Sequence, residues 1–254
     1  DMDGTRQMWI ARKDLYHVFG REPDASLYEI HYRAFWDGLL QKETKDKTSI
    51  GQTIGYTEDF ESADCMETLY GEHWSAPGFG AAIAGEDGNR YLRLTDTSLS
   101  GGESVSQNFL AKSTSGTFRC KIRFERPGPY QNLQNDLSYS YLALLDGSRS
   151  VIEVHAIDSG GDTVMLKAVS DASDGNRYQS LMEIPIGVWT ELSITYQKTG
   201  DQWKITYTVG QTACTWAENA STKRETAGIS RFALVTSPRR AAIMDIDDIG
   251  MDGR

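Results

Sequence analysis

The chain has 254 residues, a formal net charge of −10 and three cysteines. This length suffices for one large domain or two ordinary ones with a substantial core. The acidic balance and the lack of a lysine/arginine run argue against nucleic acid as a partner, and no apolar run approaches the roughly 18 residues of a membrane span. With 24 glycines, 12 tyrosines and six prolines, the composition favours an all-β protein.

Residues 1–56 differ in texture from the rest of the chain. Residues 7–12 form a compact apolar run that predicts a strand. Residues 28–36 alternate almost as a strand does, but their aromatic side chains also make a helical stripe, so both interpretations stay open. Two phrases, DGTRQMWIARKDL and YEIHYRAFWDG, resemble blade strands of the β-propellers of sialidase-like glycosidases. The resemblance implies the remnant of a preceding catalytic propeller, and the alternative is an N-terminal extension of the following domain.

The chain from residue 57 onward reads as short strands joined by polar turns. In the phrases LSITY at 192–196 and WKITY at 203–207, polar and apolar residues alternate as a half-buried antiparallel strand requires. Fourteen such segments in about 200 residues predict two packed antiparallel sheets. The predicted strands lie near residues 57–62, 78–84, 89–95, 104–111, 116–124, 139–146, 150–158, 162–169, 176–184, 188–197, 202–209, 212–217, 229–236 and 241–252.

Four phrases within this region are similar, in kind and order, to those of concanavalin A-like lectin/glucanase jelly rolls. They are EDFE at 58–61, NRYLRL at 89–94, GVWTELSITY at 187–196 and DIDDI at 245–249. The resemblance implies a two-sheet antiparallel jelly-roll sandwich over residues 57–254, with residues 1–56 as a separate extension. Since one fold supports many functions, the resemblance identifies the fold better than the function.

The two ends of this region predict a metal site. Residues 239–252 read as the closing strand of the sandwich, and Asp59-Phe60-Glu61 as the opening strand beside it. If the two strands are adjacent, Glu61 and one or two of Asp245, Asp247 and Asp248 converge, and strand alternation places Asp245 and Asp247 on one face with Asp248 on the other. The resemblance implies a structural calcium held by Glu61, Asp245 and Asp247, since Ca²⁺ prefers carboxylate and carbonyl oxygens. The alternative is that these are edge charges that discourage aggregation.

A second candidate site lies on the strands around residues 139–155. A three-residue loop at 146–148 would pair residue 141 with 153 and residue 139 with 155, and would direct Leu142, Leu144, Ile152 and Val154 to the core. The opposite face would carry Tyr139, Tyr141, Glu153 and His155, with Tyr130 on its rim. Aromatic rings beside polar groups suit a sugar, which has apolar C–H faces and many hydroxyls. The alternative is an ordinary exposed face stabilised by cross-strand pairs.

The sequence leaves the question of catalysis open. Glucanases that this region resembles carry acids as Glu-x-Asp-x-x-Glu on one strand, and glycosidases need such a pair of carboxyl groups. The nearest phrase here is EVHAID at 153–158, in which His155 stands where the middle acid belongs. A lyase could use Tyr141 or His155 as a base, but no spacing singles these residues out.

The first interpretation is therefore a carbohydrate-binding or supporting β-sandwich module of a polysaccharide-degrading protein. Its expected partners are an oligo- or polysaccharide and a catalytic domain N-terminal to the chain, and its expected location is secreted, periplasmic or at the cell surface. One alternative is a glycoside hydrolase or polysaccharide lyase in its own right. Another is a purely structural or adhesive domain.

Overall fold

The computed structural model describes the second of two units into which the chain divides, residues 49–254. The described residues are 54–62, 74–75, 80–97, 102–126, 138–158, 161–172, 175–200, 202–219, 227–236 and 242–254. The interpretations of residues 7–12 and 28–36, and the propeller resemblance, lie outside them. The predicted domain boundary at 56/57 stays a prediction, and the first described strand begins slightly before it, at Ile54.

The described residues form strands connected by turns, with no helix among them. Thirteen strands overlap predicted ones with end shifts of up to three residues. A fourteenth overlaps its prediction only at residues 57–58. The strands are β1 Ile54–Glu58, β2 Trp74–Ser75, β3 Ala81–Glu86, β4 Asn89–Asp96, β5 Ser104–Ser113, β6 Ser115–Glu125, β7 Ser138–Asp146, β8 Arg149–Asp158, β9 Thr163–Ala172, β10 Gly175–Pro185, β11 Thr190–Thr199, β12 Gln202–Val209, β13 Thr212–Asn219, β14 Ile229–Thr236 and β15 Ala242–Gly253.

The strands form two antiparallel sheets. The eight-stranded sheet has the order β13-β12-β11-β6-β15-β4-β3, with β1 paired to β15, and the seven-stranded sheet has the order β10-β9-β8-β7-β14-β5-β2. Neighbours in space are often distant in the chain, as when β14 inserts between β5 and β7. This arrangement confirms the predicted fold class, a two-sheet antiparallel jelly-roll sandwich.

The core lies between the inner faces of the two sheets. Phe232 of β14 lies at its centre and is fully buried. The Phe232 ring centroid lies 5.4 Å from that of Trp74, in an edge-on arrangement, and 5.4 Å from that of Phe118 on the opposite sheet. Edge-on and tilted aromatic pairs are favoured by the ring quadrupoles. The Phe118 contact joins the two sheets, and the Trp74 contact explains why the short strand β2, which carries Trp74, belongs to the fold.

The opening strand lies beside the closing strand as predicted, but not at the predicted residues. Strand β1 pairs with β15, from Ile54 opposite Gly253 to Glu58 opposite Ile249. Asp59-Phe60-Glu61 was expected to be this strand; instead it forms the turn that follows, in which Phe60 has a φ of 58°. The Glu58 carboxylate accepts a hydrogen bond from the Phe60 N–H at 2.8 Å, and this local bond favours the turn over continued pairing.

Candidate functional site

The seven-stranded sheet has an inner face in the core and an outer face, which we call the seven-stranded face. As predicted, Leu142, Leu144, Ile152 and Val154 lie in the core. Tyr141 of β7 and Glu153 and His155 of β8 therefore project from the seven-stranded face, because side chains alternate along each strand. The structure brings these three predicted residues together.

The register between β7 and β8 differs from the predicted one by two residues. Tyr141 lies opposite His155 and Ala143 opposite Glu153, whereas the sequence predicted residue 141 opposite 153. The connecting loop has two residues, Gly147 and Ser148, and an irregularity follows between Leu144 and Leu145. A shift of two residues leaves every side chain on its expected face because the strand period is two. The predicted faces therefore hold although the predicted pairs were wrong.

Tyr141, His155 and Glu153 form one polar cluster, which we call the Tyr141 cluster. The Tyr141 and His155 rings are stacked with their centroids 4.8 Å apart and an angle of 18° between their planes. His155 Nε2 lies 2.8 Å from Glu153 Oε2, and the side chains of His155 and Glu153 are 11% and 25% exposed. Burial, and to a smaller extent the charge of Glu153, raises the pKa of the Tyr141 hydroxyl. Tyr141 is therefore a neutral phenol at physiological pH.

An apolar patch adjoins the Tyr141 cluster. Ala143, Leu145 and Ala233 are at most 8% exposed although they face outward, and Tyr141 and Val235 pack against them. Ala143 lies directly between Glu153 on one side and Ala233 on the other. The small side chains of Ala143 and Ala233 lie among the larger ones of Leu145, Tyr141 and Val235. They give this part of the face a low, apolar floor beside the polar groups of the Tyr141 cluster.

Two cationic residues of the same face were not singled out from the sequence. Arg231 of β14 lies between Asn108 and Leu145, and Lys167 of β9 lies opposite His155. The alternation of Arg231, Ala233 and Val235 against Phe232 and Leu234 is a signal that could have placed Arg231 on this face. Its neighbours could not be read in this way, because β5 and β7 lie more than 80 residues away in sequence.

Two further predicted residues of this site are only partly covered by the structure. Tyr130 lies in the segment 127–137, outside the described residues. Tyr139 belongs to β7 at a register shift between Ser138 and Ser140, and its side chain is outside the described part. Their roles in binding stay predictions.

The predicted calcium ligands do not fit a metal ion. Asp245 and Asp247 share the outer face of the eight-stranded sheet, as predicted, but the fully buried Asp245 carboxylate is occupied by two arginines. Arg93 approaches both of its oxygens, at 2.7 and 2.8 Å, and Arg123 donates from Nε at 2.9 Å. Arginines in these positions repel a cation and use the oxygens that it would need. Hydrogen bonding to Asp245 also raises the pKa of the Arg93 guanidinium.

The other two predicted ligands are also engaged. The Asp247 carboxylate accepts hydrogen bonds from Asn89 Nδ2 at 3.0 Å and from the backbone N–H of Asp248 at 2.8 Å, while burial raises its pKa. Glu61 is exposed and accepts the backbone N–H of Arg90 at 2.9 Å. Across the described residues, no group of three or more metal-ligating side chains occurs. Calcium binding itself stays a prediction, without this ligand set.

A bulge in β15 corrects the predicted face of Asp248. The register with β6 shifts by one residue between Asp247 and Gly250, and Asp248 has a φ of 47°. An extra residue in a bulged strand reverses the alternation beyond it. Asp248 therefore projects outward, where its carboxylate lies 2.6 Å from Lys121 Nζ, and Ile249 returns to the core.

Comparisons with known proteins identify the fold. No protein-family model and no curated protein matches the chain. Similar solved structures include a sialidase (TM-score 0.59, 13% identity, 79% of this chain and 18% of that chain). They also include a carbohydrate esterase of Shiga toxin-encoding bacteriophage phi24B (0.51, 12%, 78% and 97%) and the alginate lyase from Klebsiella pneumoniae (0.50, 7%, 83% and 98%). At identities this low, the structural similarity shows a shared fold and nothing more. The chain spans less than a fifth of the length of the sialidase.

No helix among the described residues has the length and apolar character needed to span a membrane.

Proposed function

We propose that the β-sandwich is a carbohydrate-binding module and that the glycan binds on the seven-stranded face. The observation that carries this proposal is the position of the Tyr141 cluster next to the apolar patch of Ala143, Leu145 and Ala233. A sugar ring has apolar C–H surfaces and peripheral hydroxyls, so it needs an apolar floor flanked by hydrogen-bonding groups. Glu153 and His155 supply an acceptor and an imidazole, and the Tyr141 phenol supplies a donor.

The chemistry of the cluster favours binding over catalysis. A base that removes a proton near neutral pH needs a pKa close to the working pH, whereas the pKa of Tyr141 is raised. Glu153 is held by His155, at the position where the resembling glucanases carry a second acid. The cluster thus offers fixed hydrogen-bonding groups, which is what recognition of a neutral or charged sugar requires.

The wider context supports the same proposal. The names of the similar structures, a sialidase, a carbohydrate esterase and an alginate lyase, all belong to proteins that act on carbohydrates. We therefore propose that this chain serves a polysaccharide-degrading protein, with a catalytic domain N-terminal to it. Such a protein acts where polysaccharides are found, so we place it outside the cytoplasm, either secreted, periplasmic or at the cell surface.

A glycan array tests this proposal with matched variants. We expect the unmodified chain to bind at least one family of oligosaccharides, and expect Tyr141→Phe and Glu153→Ala to weaken that binding by about tenfold each, since each removes a hydrogen-bonding group from the site. Thr195→Ala, on the outer face of the eight-stranded sheet, is the control and should bind as the unmodified chain does. Absence of glycan binding, or equal binding by all variants, would contradict the proposal.

A further inference from the structure

Arg231 lies on the seven-stranded face and is not part of the Tyr141 cluster. The Arg231 side chain is half-buried on the seven-stranded face, and one of its terminal nitrogens, Nη2, donates a hydrogen bond to Ser106 Oγ. Its Nε is buried and makes no hydrogen bond, and no acidic side chain in the described part of the chain forms an ion pair with it. A guanidinium has five N–H donors, so most of its hydrogen-bonding capacity is not used within the described residues.

The acidic groups nearest in the topology are committed elsewhere. The Asp146 carboxylate, at the end of β7, lies 2.6 Å from Lys112 Nζ and accepts the backbone N–H of Ala227 at 2.6 Å. Glu153 is held by His155. Burial lowers the pKa of the Arg231 guanidinium, in keeping with the lack of a carboxylate partner among the described residues.

On the eight-stranded sheet, by contrast, a buried arginine is paired with carboxylates. On its outer face, Arg123 is 6% exposed and lies 2.8 Å from Asp245 and 2.7 Å from Glu86. All three of its guanidinium nitrogens thus lie within 3 Å of a carboxylate oxygen. Removing a charge from water without a partner costs free energy. Arg231 therefore differs from Arg123 in that no carboxylate of the described residues pairs with it, and an anionic ligand would provide one.

A second cation extends the same feature along the face. Lys167 lies opposite His155, projects outward and has no acidic partner among the described residues. Arg231 lies three strands away and about four residues along, which corresponds to roughly 19 Å between the two Cα positions at ordinary strand spacing. Arg231 and Lys167 thus stand on either side of the Tyr141 cluster, at a separation that suits an oligosaccharide.

We propose that the seven-stranded face binds a glycan that carries carboxylate groups, with Arg231 as the receptor for one carboxylate and Lys167 as an auxiliary cation. This inference rests on the proposed function and names its ligand class, uronate- or sialate-containing glycans. The planar guanidinium fork matches a carboxylate in a two-point hydrogen bond, and the alanine floor accommodates the sugar ring. The net charge of −10 disfavours long polyanions such as nucleic acid, so recognition depends on these local cations.

The test measures dissociation constants by titration calorimetry for matched glycan pairs. The pairs are oligogalacturonate with its methyl ester and sialyllactose with lactose, and a κ-carrageenan oligosaccharide, which has sulfate groups and no carboxylate, is the sulfated probe. We expect at least one carboxylate glycan to bind about tenfold or more tightly than its neutral counterpart. Arg231→Gln should remove this preference, and Arg231→Lys, which keeps the charge but not the fork, should retain part of it. Lys167→Gln should weaken binding of the acidic glycan by a smaller factor.

Two controls separate binding from folding. Lys204→Gln removes an exposed lysine from the outer face of the eight-stranded sheet and should leave both members of each pair unaffected. Because Arg231 forms no ion pair with any of the described residues, we expect Arg231→Gln to unfold at the same temperature as the unmodified chain or higher. If Arg231→Gln does not fold, the affinities of Arg231→Lys and Lys167→Gln provide the test instead.

The possible results distinguish failure of the acidic-ligand inference from failure of the proposed carbohydrate-binding function. Equal affinity for acidic and neutral partners, a carboxylate preference that survives Arg231→Gln, or binding of the sulfated probe alone would overturn this inference. Neutral glycans that bind in a Tyr141-dependent manner would leave the carbohydrate-binding function standing without its acidic ligand. If no glycan binds the unmodified chain, the proposed function fails as well.

Discussion

At the scale of single residues, the Asp245 carboxylate shows why the outer face of the eight-stranded sheet is built around ion pairs. Asp245 is fully buried and contacts both Arg93 and Arg123. The Arg123 guanidinium is also placed over two aromatic rings, 4.9 Å from the centroid of Tyr91 and 4.6 Å from that of Trp189. Cation–π contacts of this kind hold an arginine in one orientation. A buried carboxylate is tolerated here because two guanidinium groups surround it.

Replacement of Asp245 tests this explanation. Asp245→Asn would leave two partly desolvated arginines without their shared counter-charge, so we expect the free energy of unfolding to fall by about 3–5 kcal/mol. Asp252→Asn is the matched control, since the Asp252–Arg119 pair is more than half exposed on both sides and should contribute less than about 1 kcal/mol. Urea denaturation of the three proteins measures the difference. Equal effects of the two substitutions would show that Asp245 is not the centre of this network.

At the scale of elements, β15 holds the eight-stranded sheet together because it pairs with β1, β4 and β6. The C-terminal end of β15 lies very close to the start of β6. A Cβ atom added to Gly116 would overlap the carbonyl oxygen of Asp252 and lie 2.8 Å from Cα of Gly253. A Cβ atom at Gly55, which lies on the other side of β15 opposite Asp252, would meet nothing within 4 Å. Both glycines lie beside the end of β15, but only Gly116 leaves no room for a Cβ atom.

This difference predicts opposite outcomes for the same substitution. We expect Gly116→Ala to lower the free energy of unfolding by about 1–3 kcal/mol, because backbone atoms must move to admit the methyl group. Gly55→Ala should be neutral or stabilising by about 0.4–1 kcal/mol, since alanine restricts the unfolded chain. Thermal and urea unfolding of both variants provide the measurement. A Gly116→Ala variant as stable as Gly55→Ala would show that the strands can separate at little cost.

The elements also show which features the sequence could predict. Alternation in phrases such as LSITY and WKITY locates strands because it reflects one buried and one exposed face, and it predicted nearly all of them. Strand β2 has only two residues, too few to show an alternating pattern, so the sequence did not predict it. The register of β7 and β8 and the orientation of Asp248 depend on irregularities of one residue, for which alternation gives no signal.

At the scale of the whole molecule, the seven-stranded face could be predicted only in part. Tyr141, Glu153 and His155 come from one hairpin, so their shared face follows from local alternation. Arg231 and Ser106 meet because β14 and β5 are neighbours, and Asp245 meets Arg93 and Arg123 across more than 100 residues of chain. Such contacts depend on the topology of the sandwich. The same holds for the predicted calcium ligands, because Asp245 and Asp247 have hydrogen-bonding partners from distant strands that the sequence could not place beside them.

Hydroxyl-radical footprinting tests most directly whether the glycan binds on the seven-stranded face. It compares the oxidation of side chains with and without a glycan selected on the array. We expect protection of Tyr141, His155 and Met165, which project from that face, and unchanged oxidation of Trp189, which packs on the outer side of the other sheet. Protection of Trp189 with Tyr141 and His155 unaffected would contradict the account and place the binding site on the eight-stranded sheet.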